Sequence, residues 1–149
     1  MDLHFLFATD HNYMTLFFRL VLGCIIFPYG MQKLLGWFGG EGLLGTISHM
    51  ASVGMPSAIS WLTIIGQSFG SVAILLGLFT RIAAGGIFIL MAGAMVINIP
   101  NGWLMNWAGK KKGEGIEYFI LLLAINIYVL LNGAGPLSFD ALISQMYQP

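Results

Sequence analysis

The chain has 149 residues, of which 58% are hydrophobic and 8% charged, and its formal net charge is zero. Soluble domains carry about a quarter charged residues, so this composition excludes an ordinary soluble fold, and without an excess of positive charge nothing points to nucleic acid. Cys24 is the only cysteine, which excludes an intramolecular disulfide and a CxxC redox pair; flanked by Gly23 and Ile25, it reads as a small buried hydrophobe.

In chain order, the start MDLHFLFATDH places acids where a secretory signal has basic residues, and an uncleaved start is expected. Four stretches have the length and apolarity of membrane spans: about Met14 to Leu35, Ile59 to Phe79, Ile82 to Ile99 and Ile116 to Asn132. Charged residues leave 39 consecutive positions free from Gly42 to Thr80 and 28 from Ile82 to Gly109. The first span carries Arg19 and Lys33 fourteen residues apart, about 21 Å along a helix, and a charge held in hydrocarbon needs a partner, water or the interface. Pro28 frees the carbonyl of Cys24 for a donor from a neighbouring span.

Glycines and Pro56 break up the segment after Leu35, yet Leu43, Leu44, Ile47, Met50 and Ala51 keep helical spacing; a short amphipathic helix at the interface is expected there. Spans two and three meet at Thr80 and Arg81 as a hairpin with almost no loop, which puts Arg81 at headgroup level. Pro100, Asn101 and Gly102 stop span three, and Trp103, Trp107 and Lys110 to Lys112 suit an interfacial loop. Span four ends at NGAGP, after which SFDALISQMYQP predicts one surface turn from Ser138. Positive charge is denser on the side of Lys33 and the three lysines, which places both termini outside the cytoplasm. The fold class is therefore an all-α membrane protein: a four-transmembrane-helix bundle, one domain over residues 1–149, with a short interfacial helix between the first two spans.

Polar residues fall on particular faces. Arg19, Gly23, Ile26, Gly30 and Lys33 share one stripe, with Tyr29 and Gln32 beside it. Span two adds Gln67, Ser68 and Ser71, and span four opens with Glu114, Glu117 and Tyr118 and continues to Asn126 and Tyr128. Lys33 and Glu117 lie at the same end and are expected to pair. Arg19, at the other end, would pair with Asp140 or with carbonyls around Gly133 to Gly135. Such pairs are structural by default, because burying an ion pair costs about as much as it returns. Gly66 and Gly70 in span two, and Gly86 and Gly93 in span three, allow close helix packing, within the bundle or against a second copy. His4, His11 and His49 lie outside the spans, so no intramembrane pair can ligate a haem, and no metal site is expected.

The strings RLVLGCIIFPYGMQKLLG, GLFTRIAAG, EGIEYFILLL and GAGPLSFD, in this order over nearly the whole chain, resemble the DoxX family of small four-span membrane proteins within the wider DoxD-like group. The resemblance implies a four-helix bundle and, for some members, the membrane subunit of a quinone-linked oxidoreductase, with thiosulfate:quinone oxidoreductase as archetype. The family positions fall here on Gly30, Lys33 and Leu34, on Arg81, on Glu117 and Tyr118, and on Gly133, Gly135, Ser138 and Asp140. Tyr29 stands where members often have histidine, and Gln67 where many have glutamate; both changes remove an ionisable group.

Two functions are open. In one, Tyr29, Gln32, Lys33, Gln67, Glu117 and Tyr118 line a pocket for a quinone ring or a lipid headgroup in the bacterial inner membrane, while a partner subunit supplies the redox centre; the chain is not catalytic alone. In the other, the polar residues only fix helix register, and the small-residue faces dock other membrane subunits or a second copy. A channel or transporter would need a continuous polar path, to which only Pro28 hints.

Overall fold

Apolar runs become helices, two of which stop at a glycine in the left-handed region. The structure, a computed structural model, describes residues 4–109 and 113–146. A short α1 (His4–Phe7) precedes α2 (Tyr13–Leu35), whose start is capped by the Asn12 side chain accepting from the Met14 amide and whose end is Gly36 in the left-handed region. A single 3-10 turn at Trp37–Gly39 leads into α3 (Gly42–Ser52) and α4 (Ser57–Leu76). Then come α5 (Thr80–Asn98), α6 (Glu117–Asn132) and α7 (Phe139–Met146). No strand occurs among the described residues.

Three helices are long and apolar enough to cross a membrane: α2, α4, and α5 with the turn that extends it to Asn101. The 16-residue α6 is apolar but shorter, about 24 Å at ~1.5 Å per residue. These four pack in a ring in which α2 and α5 each touch both α4 and α6, and α3 lies across the α2–α4 seam. Polarity is inverted relative to a soluble protein. Inside, next to Leu22, Ile26, Ile74, Ile87, Leu122 and Val129, sit buried Thr15, Arg19, Ser60, Gln67, Ser68, Ser71, Thr80 and Asn126. Outside, Phe17, Leu62, Phe69, Ile89, Val96, Leu121 and Leu131 stand exposed. Such an outer surface belongs in hydrocarbon.

The α2–α4 contact depends on Gly30. A methyl group there would lie 2.6 Å from the Gln67 carbonyl oxygen and 2.7 Å from the Ser68 Cα, and the Ser68 hydroxyl crosses the seam to donate to the Gly30 carbonyl at 2.9 Å. The donor from α4 thus reaches Gly30, not Cys24 as expected, and Ser71 instead bonds back to Ser68 within α4 at 2.9 Å. Gly66 and Gly70 pack under Leu90 and Ile87 of α5, whereas Gly86 and Gly93 face open space. Cys24 is exposed on the outer face of α2 rather than buried.

The termini close one end of the ring. The tail is not a surface turn: α7 folds inward and buries Asp140 and Ala141. Asp140 accepts from the amides of Phe79 (2.7 Å) and Thr80 (2.8 Å), while its own amide donates to the Gly77 carbonyl at 2.8 Å. The carboxylate thereby caps α5, whose first turn follows Phe79 in the left-handed region. Arg81 is half-buried and donates to the carbonyls of Ala8 and Leu130, both at 3.2 Å, tying the N-terminal segment to the end of α6. Lys110 to Lys112 lie outside the described residues.

Candidate functional site

At the opposite end, α2, α4, α5 and α6 leave a cavity of about 310 Å³. Four of the six residues expected to bind a ligand line it: Tyr29 and Lys33 from α2, Gln67 from α4 and Tyr118 from α6. Glu114 joins them from the loop before α6, and Ile26, Met91, Ala94, Met105 and Phe119 supply apolar wall. The helical spacing of Tyr29 and Lys33, one turn apart, brings both to one face. Lys33 reaches only its own helix: Nζ is 3.5 Å from the Tyr29 carbonyl oxygen and 5.8 Å from the Tyr29 ring centre. A compact ammonium has three donors, so Lys33 retains capacity toward the cavity. The Tyr29 and Tyr118 rings approach at 6.4 Å and share a side-chain hydrogen bond.

Gln67 is 6% exposed, and its Oε1 is buried without a hydrogen-bond partner. Leaving such a group unmade costs about 1–3 kcal/mol, which folding alone gives no reason to carry.

Gln32 and Glu117 are not part of this lining. Gln32 turns to the far side of α2, donates to the Phe38 carbonyl at 3.3 Å, and lines a second, outer pocket of about 260 Å³ together with Lys33, Gly40, Glu41, Thr46, His49 and Met50. Glu117 accepts from the Met105 amide at 2.9 Å, and the Lys33–Glu117 ion pair expected from the sequence is not formed. The reason is the loop after α5. It folds back along α6, with the Ile116 and Glu117 amides donating to the Gly102 and Trp103 carbonyls and Glu114 accepting from the Asn106 amide at 3.0 Å. Both carboxylates are engaged with that loop, and Glu117 in this way holds Met105 over the cavity. Met105 and Glu114 were not singled out as cavity residues, and only the fold-back of the loop brings them there.

Arg19, at the other end, does not form the expected ion pair with Asp140. Its Nη2 donates to the Leu137 carbonyl at 3.0 Å, close to the carbonyls named as its alternative, and Asp140 lies within electrostatic reach while spending both oxygens on α5. Nη1 rests against Gly77, where any Cβ would collide with it. Arg19 Nε and Nη1 and both amide atoms of Asn126 have no partner, in a layer where the Thr80 hydroxyl is also unpaired. A larger, more open hollow of about 470 Å³ under α7 is mostly apolar, with only His11, Ser138 and Gln145 offering polar side chains. No group of three or more metal-ligating side chains occurs among the described residues.

A curated relative, "Putative oxidoreductase CatD" of Bacillus subtilis (strain 168), is 27% identical over 130 residues, covering 87% of this chain and 86% of that protein. No solved structure matches. The DoxX family model matches residues 14–99, which takes in α2 to α5 with Lys33, Gln67 and the Gly30 crossing. The chain is an integral membrane protein and belongs to the DoxX family.

Proposed function

We propose that the protein is the membrane subunit of an oxidoreductase assembly in the bacterial inner membrane and that the cavity beside Lys33 holds a quinone ring. In this reading α6 completes a four-span bundle and α3 lies at the interface. The observation that carries it is the unpartnered Gln67 Oε1 in a pocket that also offers an ammonium and two phenols. A carbonyl oxygen of the ring could take a hydrogen bond from Lys33, and the unpartnered Oε1 of Gln67 could accept one from a hydroxyl of the reduced ring. Tyr29, Tyr118 and Phe119 provide aromatic surface, and about 310 Å³ suits one ring with its tail leading out to lipid. Glu114 offsets the charge of Lys33, so the lining is formally neutral, which favours a neutral carbonyl compound over an anionic lipid headgroup. The chain contributes no redox centre in this reading; electrons come from a partner subunit.

The test is retention. Full-length protein extracted in mild detergent and analysed by native mass spectrometry and organic extraction should carry quinone, and Lys33→Met or Gln67→Leu should release it while the thermal transition persists. Equal quinone in both variants overturns the reading, and phospholipid in place of quinone assigns the cavity to a headgroup.

A second reading, assembly with other membrane subunits or a second copy, is favoured by one specific observation. Ile82, Gly86, Ile89, Gly93 and Val96 form an exposed stripe along α5, and neither glycine meets any atom within 4 Å. Single cysteines at Gly86 or Gly93 in a Cys24→Ser chain would crosslink in the membrane if the stripe meets a second copy; their failure to do so leaves it facing lipid or another subunit.

A further inference from the structure

Lys33 belongs to two hollows at once. Its side chain lines both the inner cavity and the outer pocket formed with α3, and no other residue is shared between the two. On the outer side, α3 is fixed against α2 by the Thr46 hydroxyl donating to the Lys33 carbonyl at 3.4 Å, and it presents His49, whose Nδ1 is 3.8 Å from Glu41 Oε1. Both of these side chains are more than half exposed, and polar groups of this kind belong at the headgroup level or in water rather than in hydrocarbon. The titratable groups that face Lys33 are Tyr29 on α2, Glu41 and His49 on α3, Tyr118 on α6 and Glu114 on the loop; Gln67 on α4 is polar but does not titrate.

We propose that Lys33 is the proton-exchange residue of the cavity, taking protons from the outer pocket at Glu41 and His49 and passing them to an oxygen of the bound ring. The inference rests on the cavity's being a quinone site and adds the route by which its protons arrive. An N–H bond of the Lys33 ammonium breaks as an O–H bond forms on the anionic oxygen of the reduced ring, and the N–H electron pair stays on nitrogen. The neutral amine then takes a proton from the His49 imidazolium, directly or through water, and the imidazole regains one from solvent. Two such cycles, with two electrons from the reduced partner subunit, convert quinone to quinol. Lys33 Nζ has the freedom to serve both sides because its single hydrogen bond, at 3.5 Å to the Tyr29 carbonyl, is long.

The experiment uses the full chain in lipid nanodiscs with an alkylated 4-nitrophenol, whose coloured phenolate stands in for the reduced ring, and follows its reprotonation after a drop in pH by stopped flow. The wild type should bind the probe in competition with decyl-ubiquinone. In His49→Gln, which leaves the inner lining intact, binding should be unchanged while reprotonation slows about tenfold or more. A probe that decyl-ubiquinone does not displace removes the quinone site, and this inference with it. A displaced probe whose reprotonation is as fast in His49→Gln as in wild type overturns the proton route alone. A second measurement avoids any variant: a water-soluble acetylating reagent should modify Lys33 in the folded protein, and a Lys33 modified only after unfolding would show no aqueous contact and would overturn the route.

Discussion

Gln67 and Asp140 are both buried polar side chains, and their surroundings predict opposite consequences of losing them. Asp140 spends both oxygens on backbone amides and sits within the field of Arg19 and Arg81. Asp140→Ala should therefore cost about 1–3 kcal/mol, since it uncaps α5 and leaves the Phe79 and Thr80 amides without their acceptor. Asp140→Asn keeps one acceptor and should cost less; the order of thermal transitions of the three proteins in mild detergent checks this. Gln67 has an acceptor with no partner, so Gln67→Leu should leave the ligand-free protein as stable as wild type or raise its stability by about 1 kcal/mol while abolishing quinone retention. A large loss of stability in Gln67→Leu would mean that the amide is satisfied within the protein and is no ligand-binding group. Gly77→Ala is the strictest case: its φ of +67° and the Arg19 Nη1 packed against it leave no room for a methyl group, and the variant should fail to accumulate in membranes. Sequence placed Lys33, Gln67, Tyr29 and Tyr118 at one level because depth along a span follows from counting residues. It could not show that Glu117 turns away from Lys33, because that depends on how the chain from Gly102 to Ile116 doubles back, and the spacing of residues in a span carries no information about a loop's path.

Helices were the most legible elements. The limits of α2 and α6 lie within one residue of those expected, since length, apolarity and glycine stops all point to the same boundaries. Span two ends three residues early: Gly77 takes the left-handed conformation, and the Gly77 to Phe79 turn belongs to neither helix. The fate of α7 was not legible, because a polar tail with Asp140 reads as solvent-facing until the exposed amides that begin α5 are seen beside it. At this scale the Gly30 crossing makes a sharp prediction. Gly30→Ala would force α4 away from α2, costing about 1–3 kcal/mol, and would move Gln67 relative to Lys33. Ser68→Ala, which removes only the hydrogen bond to the Gly30 carbonyl, should cost about 1 kcal/mol and leave the cavity in place. Quinone retention lost in Gly30→Ala but kept in Ser68→Ala would assign the crossing a role in setting the width of the cavity.

Across the whole molecule, the two ends of the ring differ in kind. All four tryptophans, Trp37, Trp61, Trp103 and Trp107, are at the end where Lys33 lies, and each is close to half exposed or more. The same end holds the inner cavity, the outer pocket and α3, and the chain's Lys110 to Lys112 fall in the connection between α5 and α6. The other end holds Arg19, Arg81, Asp10 and Asp140, with hydrogen bonds binding the termini to the helix ends. Counted along the sequence, four of the six Lys and Arg residues are expected on the side of Lys33, and positive charge on short loops is retained in the cytoplasm. The expected orientation puts the Lys33 end inside and both termini outside. In a Cys24→Ser chain, a cysteine at Ala108 should react with a membrane-impermeant maleimide only after spheroplasts are lysed, and one at Gln145, exposed on α7, should react in intact spheroplasts. The opposite labelling would reverse the protein in the membrane and move the proposed proton source to the outer face. The distinction has chemical weight: with this orientation the proposed quinone reduction at Lys33 would consume cytoplasmic protons, whereas in the reverse one it would draw them from outside.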